Sequence, residues 1–173
     1  MRIAIVGAHR VGKSTLAEEL LMNLPGYTLE MEPYYQLEAS GYEFSETPVA
    51  EDFMEQFNYS ANLVSRSEDN VIFDRCAIDI LAYLHVIDPG RNIELPYETA
   101  QTVIAGIDLL VFVPIAEPDL IPIHQTDLPK LRSRVNDLLY DWIGDFDIQT
   151  IEVSGTLSHR RDQVLAAVNS RNH

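Results

Sequence analysis

The stretch that decides the fold is Gly7-Ala8-His9-Arg10-Val11-Gly12-Lys13-Ser14, which fits the pattern G-x-x-x-x-G-K-[ST] at every fixed position. It follows a short apolar run at residues 3–6 and opens a segment with helical spacing, which is the context that the pattern requires. Two glycines let the backbone turn its amides inward, and the start of a helix adds a positive dipole end. Residues 7–14, called the phosphate loop below, therefore predict a site for a nucleoside triphosphate.

Individual positions in and around the phosphate loop have separate expected roles. The Lys13 ammonium can reach the β- and γ-phosphates, the Ser14 hydroxyl can bind Mg²⁺, and Thr15 extends the polar edge of the loop. For Arg10, contact with a phosphate and simple solvation both stay open. Gly155 follows the last predicted strand, where the chain can run past an adenine ring. The residues predicted to bind ATP are Gly7, His9, Arg10, Val11, Gly12, Lys13, Ser14, Thr15 and Gly155.

Outward from the phosphate loop, short apolar runs alternate with segments of helical spacing. The predicted strands are residues 3–6, 27–31, 71–73, 109–113 and 148–153. The predicted helices are residues 14–24, 51–67, 77–87, 97–107 and 157–168, with one more whose apolar face holds Leu131, Val135, Leu138, Leu139 and Trp142. This alternation predicts an α/β fold in which helices cover both faces of a parallel sheet.

The remaining segments are predicted to be connections within one domain that spans residues 1–173. Residues 34–48 are polar and aromatic and have no clear period. Residues 115–129 hold three prolines and several polar side chains, which is typical of a loop or lid. No repeat or linker divides the chain.

The composition excludes several classes of function. The chain has 12 Lys and Arg against 27 Asp and Glu, for a formal net charge of −15 at pH 7. Such acidity argues against binding nucleic acids or anionic membranes over a broad surface, because both need basic patches. The single cysteine, Cys76, excludes an internal disulfide and a cysteine-built metal site. No apolar run approaches the roughly 20 residues that span a bilayer, so a soluble, cytoplasmic protein is expected.

Charged residues are predicted at the carboxyl end of a second strand. The run Val71-Ile72-Phe73 is followed by Asp74 and Arg75, at the sheet edge where open α/β folds bind ligands. Asp74 can hold Mg²⁺ through water, and Arg75 can bind an acceptor phosphate or stabilise transition-state oxygens. A purely structural Asp–Arg ion pair is the alternative interpretation.

Glu32 follows the strand predicted at residues 27–31 and is a candidate general base or ligand of an acceptor hydroxyl. A solvated carboxylate in an acidic loop is the alternative. Half of the fourteen Tyr and Phe residues fall between positions 34 and 59. Most of these are expected to form a small apolar cap, although aromatic rings beside a cleft can also stack on a ligand. Gln56 points off its helix's apolar face and can hydrogen-bond a base edge.

A cluster of cations follows the proline-containing segment. Lys130, Arg132 and Arg134 are three of the twelve Lys and Arg residues, and positions 130 and 134 share one helix face. Arg132 and Arg134 are predicted to close over the triphosphate and to stabilise charge in the transition state. The alternative is a solvated face that pairs with nearby aspartates.

With these residues assembled, the chain resembles the adenylate-kinase-like branch of P-loop nucleoside and nucleotide kinases. It is most similar to the small ATP-binding domains related to ribosylnicotinamide kinase. The resemblance rests on the phosphate loop, Glu32-Pro33, Asp74-Arg75 and the final strand–Gly–helix. It implies a three-layer α/β/α fold whose five parallel strands have the order 2-3-1-4-5. It also implies that Glu32 or Asp74 is the acceptor-side base and that residues 115–134 form a lid.

The chain departs from this family in one place. Lids of such kinases usually contain arginine, whereas residues 115–129 contain none, and Arg132 and Arg134 come after them. This leaves the catalytic competence of the lid open.

The leading hypothesis is ATP-dependent, Mg²⁺-requiring phosphoryl transfer to a small acceptor, a nucleoside or nucleotide. The alternatives are a nucleotide-binding regulatory or interaction protein, whose acidic residues 18–55 form the partner surface, and a simple NTP hydrolase. The acceptor, the choice between Glu32 and Asp74, and the oligomeric state are left open by the sequence.

Overall fold

One parallel sheet organises the chain, and the computed structural model describes residues 1–171 of it. The strands are β1 (Arg2–Val6), β2 (Thr28–Glu30), β3 (Val71–Asp74), β4 (Leu109–Phe112) and β5 (Thr150–Glu152). Their order is β2-β3-β1-β4-β5, and every neighbouring pair is parallel. The expected five-stranded sheet of order 2-3-1-4-5 is thereby confirmed.

The central strands form the interior of the molecule. All four residues of β3 and of β4 are buried, as are the last four residues of β1. Apart from Arg2 at the start of β1 and Asp74 at the end of β3, these strands are apolar, because both faces of a parallel sheet are covered by helices. In register, Ile5 of β1 lies beside Asp74 of β3 and Val111 of β4, so the carboxyl ends of the three strands meet at one edge.

The described part of the chain has seven α-helices, six between strands and one after β5. They are α1 (Lys13–Asn23), α2 (Pro33–Ala39), α3 (Ala50–Arg66), α4 (Ala77–Ile87), α5 (Glu94–Ile104), α6 (Pro129–Ile143) and α7 (Leu157–Arg171). Helices α1 and α7 contact each other, whereas α4 contacts α3, α5 and α6. The result is the expected three-layer α/β/α arrangement.

Besides shifts of a few residues at element ends, the observed elements differ from the predicted ones at three points. Residues 34–48 are not entirely irregular, because α2 covers Pro33–Ala39, with the proline at its first helical position. Helix α5 begins at Glu94, three residues before the predicted start. The proline-containing segment includes a short 3-10 helix at Gln125–Asp127. None of the helices in residues 1–171 is long and apolar enough to cross a membrane.

Candidate functional site

The phosphate loop connects β1 to α1 with a backbone that needs its two glycines. A Cβ atom on Gly7 would lie 2.4 Å from the Val113 carbonyl oxygen, so no side chain fits there. Gly12 caps the start of α1 with φ 90°, a left-handed conformation that costs glycine little. Both glycines are required for steric or conformational reasons, which agrees with the sequence pattern.

Cationic side chains hold the carbonyl groups of the phosphate loop. Five consecutive carbonyl oxygens accept hydrogen bonds from them: Gly7 from Arg75 (3.4 Å), Ala8 from Lys13 (2.6 Å), His9 from Arg132 Nε (2.9 Å), Arg10 from Arg132 Nη2 (3.2 Å) and Val11 from Arg160 (2.7 Å). By contrast, the amide N–H groups of residues 10–14 have no acceptor within residues 1–171. A run of free amides at a helix start is an anion-binding arrangement.

Lys13 is buried at the base of the phosphate loop. Burial, and secondly the charge of Arg75, lower the pKa of the Lys13 ammonium from 10.5 to about 8. The ammonium therefore stays protonated at neutral pH, although its desolvation is only partly offset by neighbouring carboxylates. An incoming phosphate would supply the missing negative charge.

Asp74 and Ser14 lie together beside the loop. Burial raises the pKa of Asp74, and a hydrogen bond from Ser14 opposes that rise. The Oδ1 atom of Asp74 is buried and has no hydrogen-bond partner in residues 1–171. An orphaned carboxylate oxygen next to a hydroxyl is a chemically suitable pair of ligands for Mg²⁺, which usually takes few protein ligands and several waters. The described chain has no cluster of three or more His, Cys, Asp or Glu side chains that could hold a metal by itself.

Arg75 forms a buried cluster with two carboxylates. Its Nε donates to Glu32 Oε1 at 2.5 Å, and its Nη1 donates to Asp79 Oδ2 at 3.1 Å. Its backbone has φ 81°, which is strained for a residue with a side chain and is typical of functional positions. Burial opposes ionisation of Glu32, but the charges of Arg75 and Lys13 outweigh it and hold the pKa of Glu32 below its ordinary value.

An aromatic cavity of about 400 Å³ opens beside this cluster. Glu32 and Arg75 line it on the side of the phosphate loop, together with His9. Two aromatic pairs also line it: Phe53 stacks on Tyr83 at 5.2 Å between ring centroids, and Tyr34 stacks on Phe44 at 4.2 Å. Some of the aromatic residues expected to form an apolar cap thus face a cavity, as does Gln56.

The lid segment, residues 115–134, is fastened to the phosphate loop. Arg132 bridges the two, because it also pairs with both carboxylate oxygens of Asp119 at 2.6 and 3.2 Å. The Nε2 atom of His9 hydrogen-bonds the Asp127 carbonyl oxygen, and the exposed Arg10 pairs with the Asp127 carboxylate at 3.4 Å. His9 Nε2 must be the donor in this contact, which leaves Nδ1 to accept from Tyr83 Oη at 2.8 Å. Burial, more than any nearby charge, lowers the pKa of His9.

Helical periodicity separates the cations that the sequence grouped together. Arg132 lies on the buried side of α6 with Val135 and Leu139, while Arg134 is exposed. Lys130 and Arg134 line a different groove, beside Val86 and Ile87, and have no contact with the phosphate loop. The structure therefore does not bring Arg134 to the predicted site.

Two residues at this site were not predicted. Arg160 of α7 donates to the carbonyl oxygens of Val11 and Gly155, at 2.7 and 3.0 Å, and so links the predicted adenine side to the phosphate loop. The sequence signal was its spacing with Val164 and Val168, which places Arg160 on the buried face of α7. Asp79 was missed because its role depends on Arg75, one helical turn away, whose contacts the sequence left open.

Comparison with known proteins gives the chain a family and a fold. The family model described as an AAA domain matches residues 2–160. No curated protein sequence matches the chain. Among solved structures, the NadR protein in complex with NR has a TM-score of 0.70 at 16% identity, over 97% of this chain and 50% of that one. Deoxyadenosine kinase from M. mycoides has a TM-score of 0.65 at 16% identity, over 98% and 100% of the two chains. Thymidylate kinase from Candida albicans has a TM-score of 0.66 at 18% identity, over 98% of this chain and 91% of that one.

At these identities the solved structures establish a shared fold, and the expected resemblance to P-loop nucleoside and nucleotide kinases is confirmed at that level. The family match covers the phosphate loop, the Glu32–Arg75–Asp79 cluster, the lid segment and Arg160. The chain therefore belongs to the AAA domain family and has the fold of the P-loop kinases.

Proposed function

We propose that the protein transfers the γ-phosphoryl group of ATP to a hydroxyl group of a small acceptor, a nucleoside or nucleotide. The observation that carries the proposal is the position of the Glu32–Arg75 pair. It lines the aromatic cavity and also touches the phosphate loop through the bond from Arg75 to Gly7. A carboxylate between a triphosphate site and a ligand-sized cavity is what phosphoryl transfer to an alcohol requires.

On the donor side, the free amides of residues 10–14 and the Lys13 ammonium would bind the phosphates of ATP. Ser14 and Asp74 would hold Mg²⁺, which neutralises charge on the phosphates when it is bound. Arg160 and Arg132 would act as positioning residues, because both contact loop carbonyls and so fix the direction of the amides. Preorganised donors of this kind stabilise charge without reorganising during the reaction.

On the acceptor side, Glu32 is the better candidate for the base. It lines the cavity, whereas Asp74 does not and instead lies beside Ser14. Arg75 occupies Oε1 of Glu32, and Oε2 has no partner within residues 1–171. Because its pKa is held low, Glu32 would be ionised at neutral pH and able to orient the acceptor hydroxyl and take its proton.

The test incubates the protein with Mg·ATP and a panel of nucleosides, nucleotides and small alcohols, and follows both ADP and phosphorylated product. We expect ADP only in the presence of a productive acceptor. ADP without phosphorylated product would favour a simple NTP hydrolase. Tight ATP binding with no product from any acceptor would favour a nucleotide-binding regulatory protein.

A pair of variants tests the assignment of Glu32. Glu32→Gln is expected to lower kcat by roughly 100-fold while ATP binding is retained, since loss of a general base typically costs 10²–10⁴-fold. Glu30→Gln is the matched control, because Glu30 lies two residues away on β2 and contacts Gln36 rather than the cavity. Equal activity in the two variants would contradict the role of Glu32.

A further inference from the structure

The wall of the aromatic cavity is strongly acidic. Its charged side chains are four carboxylates and one cation: Glu32, Glu46, Asp52, Asp127 and Arg75. The remaining ionisable base on the wall is His9, whose lowered pKa keeps the ring neutral at pH 7. The cavity therefore resembles the acidic surface of the chain rather than the cation-rich phosphate loop beside it.

The one cation on this wall is already neutralised. Arg75 contacts Glu32 at 2.5 Å and Asp79 at 3.1 Å, so two carboxylates share its charge. Asp52, by contrast, is 6% exposed and accepts hydrogen bonds from Tyr42 Oη and the Ser45 amide, each at 3.0 Å. Within residues 1–171, Asp52 has no cation within ion-pair distance.

The apolar part of the wall suits a flat ring with a polar edge. The stacked pairs Phe53–Tyr83 and Tyr34–Phe44 offer aromatic surface, and ring–ring contacts add stabilisation beyond buried area. The Gln56 amide lies among them and donates to the Asp52 carbonyl oxygen at 3.2 Å, which leaves its oxygen to accept from a ligand.

Resting on the kinase function proposed above, we propose that the acceptor is an unphosphorylated nucleoside-type alcohol, with a flat ring and no phosphate or carboxylate group. A phosphomonoester has a charge of about −1.5 to −2 at neutral pH. In this cavity it would face Glu46 and Asp52, which have no ion-pair partner within residues 1–171, beside Glu32 and Asp127, which already pair with Arg75 and Arg10. It would meet no unpaired cation there, so no positive charge would replace its lost hydration. A nucleoside has only neutral polar groups to desolvate, and the aromatic pairs and Gln56 can replace those contacts.

The first experiment compares matched pairs of acceptors. Each of several deoxynucleosides and its own 5′-monophosphate is given to the full chain with Mg·ATP, and kcat/KM is measured from ADP and from the phosphorylated product. We expect the nucleoside of a productive pair to exceed its monophosphate by at least about 100-fold. A monophosphate that is used as well or better overturns this inference and leaves the kinase proposal standing. Absence of product from every pair, with ATP still bound, overturns the kinase proposal itself.

The second experiment changes the charge of the wall without touching the catalytic cluster. Glu46 is exposed and lines the cavity, whereas Glu43 is exposed and does not, so Glu46→Lys and Glu43→Lys alter the net charge equally at positions three residues apart. We expect Glu46→Lys to tighten binding of a nucleoside monophosphate, followed by calorimetry with Mg·ADP present, by roughly tenfold, or ~1.4 kcal/mol. Glu43→Lys should change it less than about twofold. Equal responses from the two variants would overturn the charge argument.

Discussion

Arg160→Met is the substitution that most directly tests how the phosphate loop is held. It preserves much of the side-chain length but removes the guanidinium that bonds the carbonyl oxygens of Val11 and Gly155. Two hydrogen bonds from a charged donor are worth roughly 3–6 kcal/mol together. Relief of the desolvation of a buried cation, which costs several kcal/mol, offsets part of this. We expect the free energy of unfolding to fall by on the order of 2 kcal/mol. This corresponds to a decrease of about 4–8 °C in Tm, at roughly 2–4 °C per kcal/mol for a chain of this size.

The same substitution should weaken nucleotide binding by roughly tenfold, since the freed Val11 peptide no longer fixes the direction of the neighbouring amides. Thermal unfolding and an ATP titration measure the two effects. Arg161→Met is the control, because Arg161 is adjacent on α7 but pairs at the surface with Glu19 and Asp162. If both variants had the same Tm and the same Kd for ATP, the structural role assigned to Arg160 would be refuted.

Three further predictions concern the phosphate loop. Lys13→Ala should abolish the thermal stabilisation by ATP, which for the wild-type chain is ~2.7 kcal/mol at an ATP concentration 100 times Kd. A shift in Tm on adding ATP that persists unchanged in the variant would contradict the site. Because the folded-state pKa of His9 is below 6.5, the unfolded chain binds more protons, so stability is lost as pH falls from 6.5 through the folded pKa. Between pH 7.5 and 5.5, urea unfolding should show a smaller loss of the free energy of unfolding for His9→Gln than for wild type. An equal loss in the two proteins would show that His9 is not its source. Gly7→Ala should cost about 1–3 kcal/mol because its Cβ meets the Val113 carbonyl, while Gly144→Ala, with open space around it, should not destabilise the chain in the same unfolding assay.

The site residues that could be predicted from the sequence are those at the carboxyl ends of predicted strands. The sequence places the phosphate loop after β1, Glu32 after β2 and Asp74-Arg75 at the end of β3, and parallel strands bring their carboxyl ends to one edge. For that reason Glu32 and Arg75 do meet, at 2.5 Å. The functional roles of these residues stay predictions.

The contacts that could not be predicted join side chains that are far apart in sequence and that no local pattern connects. Nothing in residues 115–134 indicates that Asp119 pairs with Arg132, or that Arg132 then reaches the carbonyls of the phosphate loop. Helix α2 was missed because seven residues hold too few turns to establish a period. Arg160 had a usable signal in its spacing with the buried valines of α7, but its adjacency to Arg161 made it resemble a solvated residue.

The cations that hold the phosphate loop have a consequence for binding kinetics. Lys13, Arg75, Arg132 and Arg160 are all buried, so the positive charge acts at contact range, while the outer surface repels anions with a net charge of −15. Salt screens charges separated by more than about 10 Å at 0.1 M, but has much less effect on buried ones. Raising the ionic strength toward 0.1 M should therefore accelerate the association of ATP, because it screens the repulsive outer surface more than the buried cations. An anionic ligand that meets an exposed basic site usually shows the reverse.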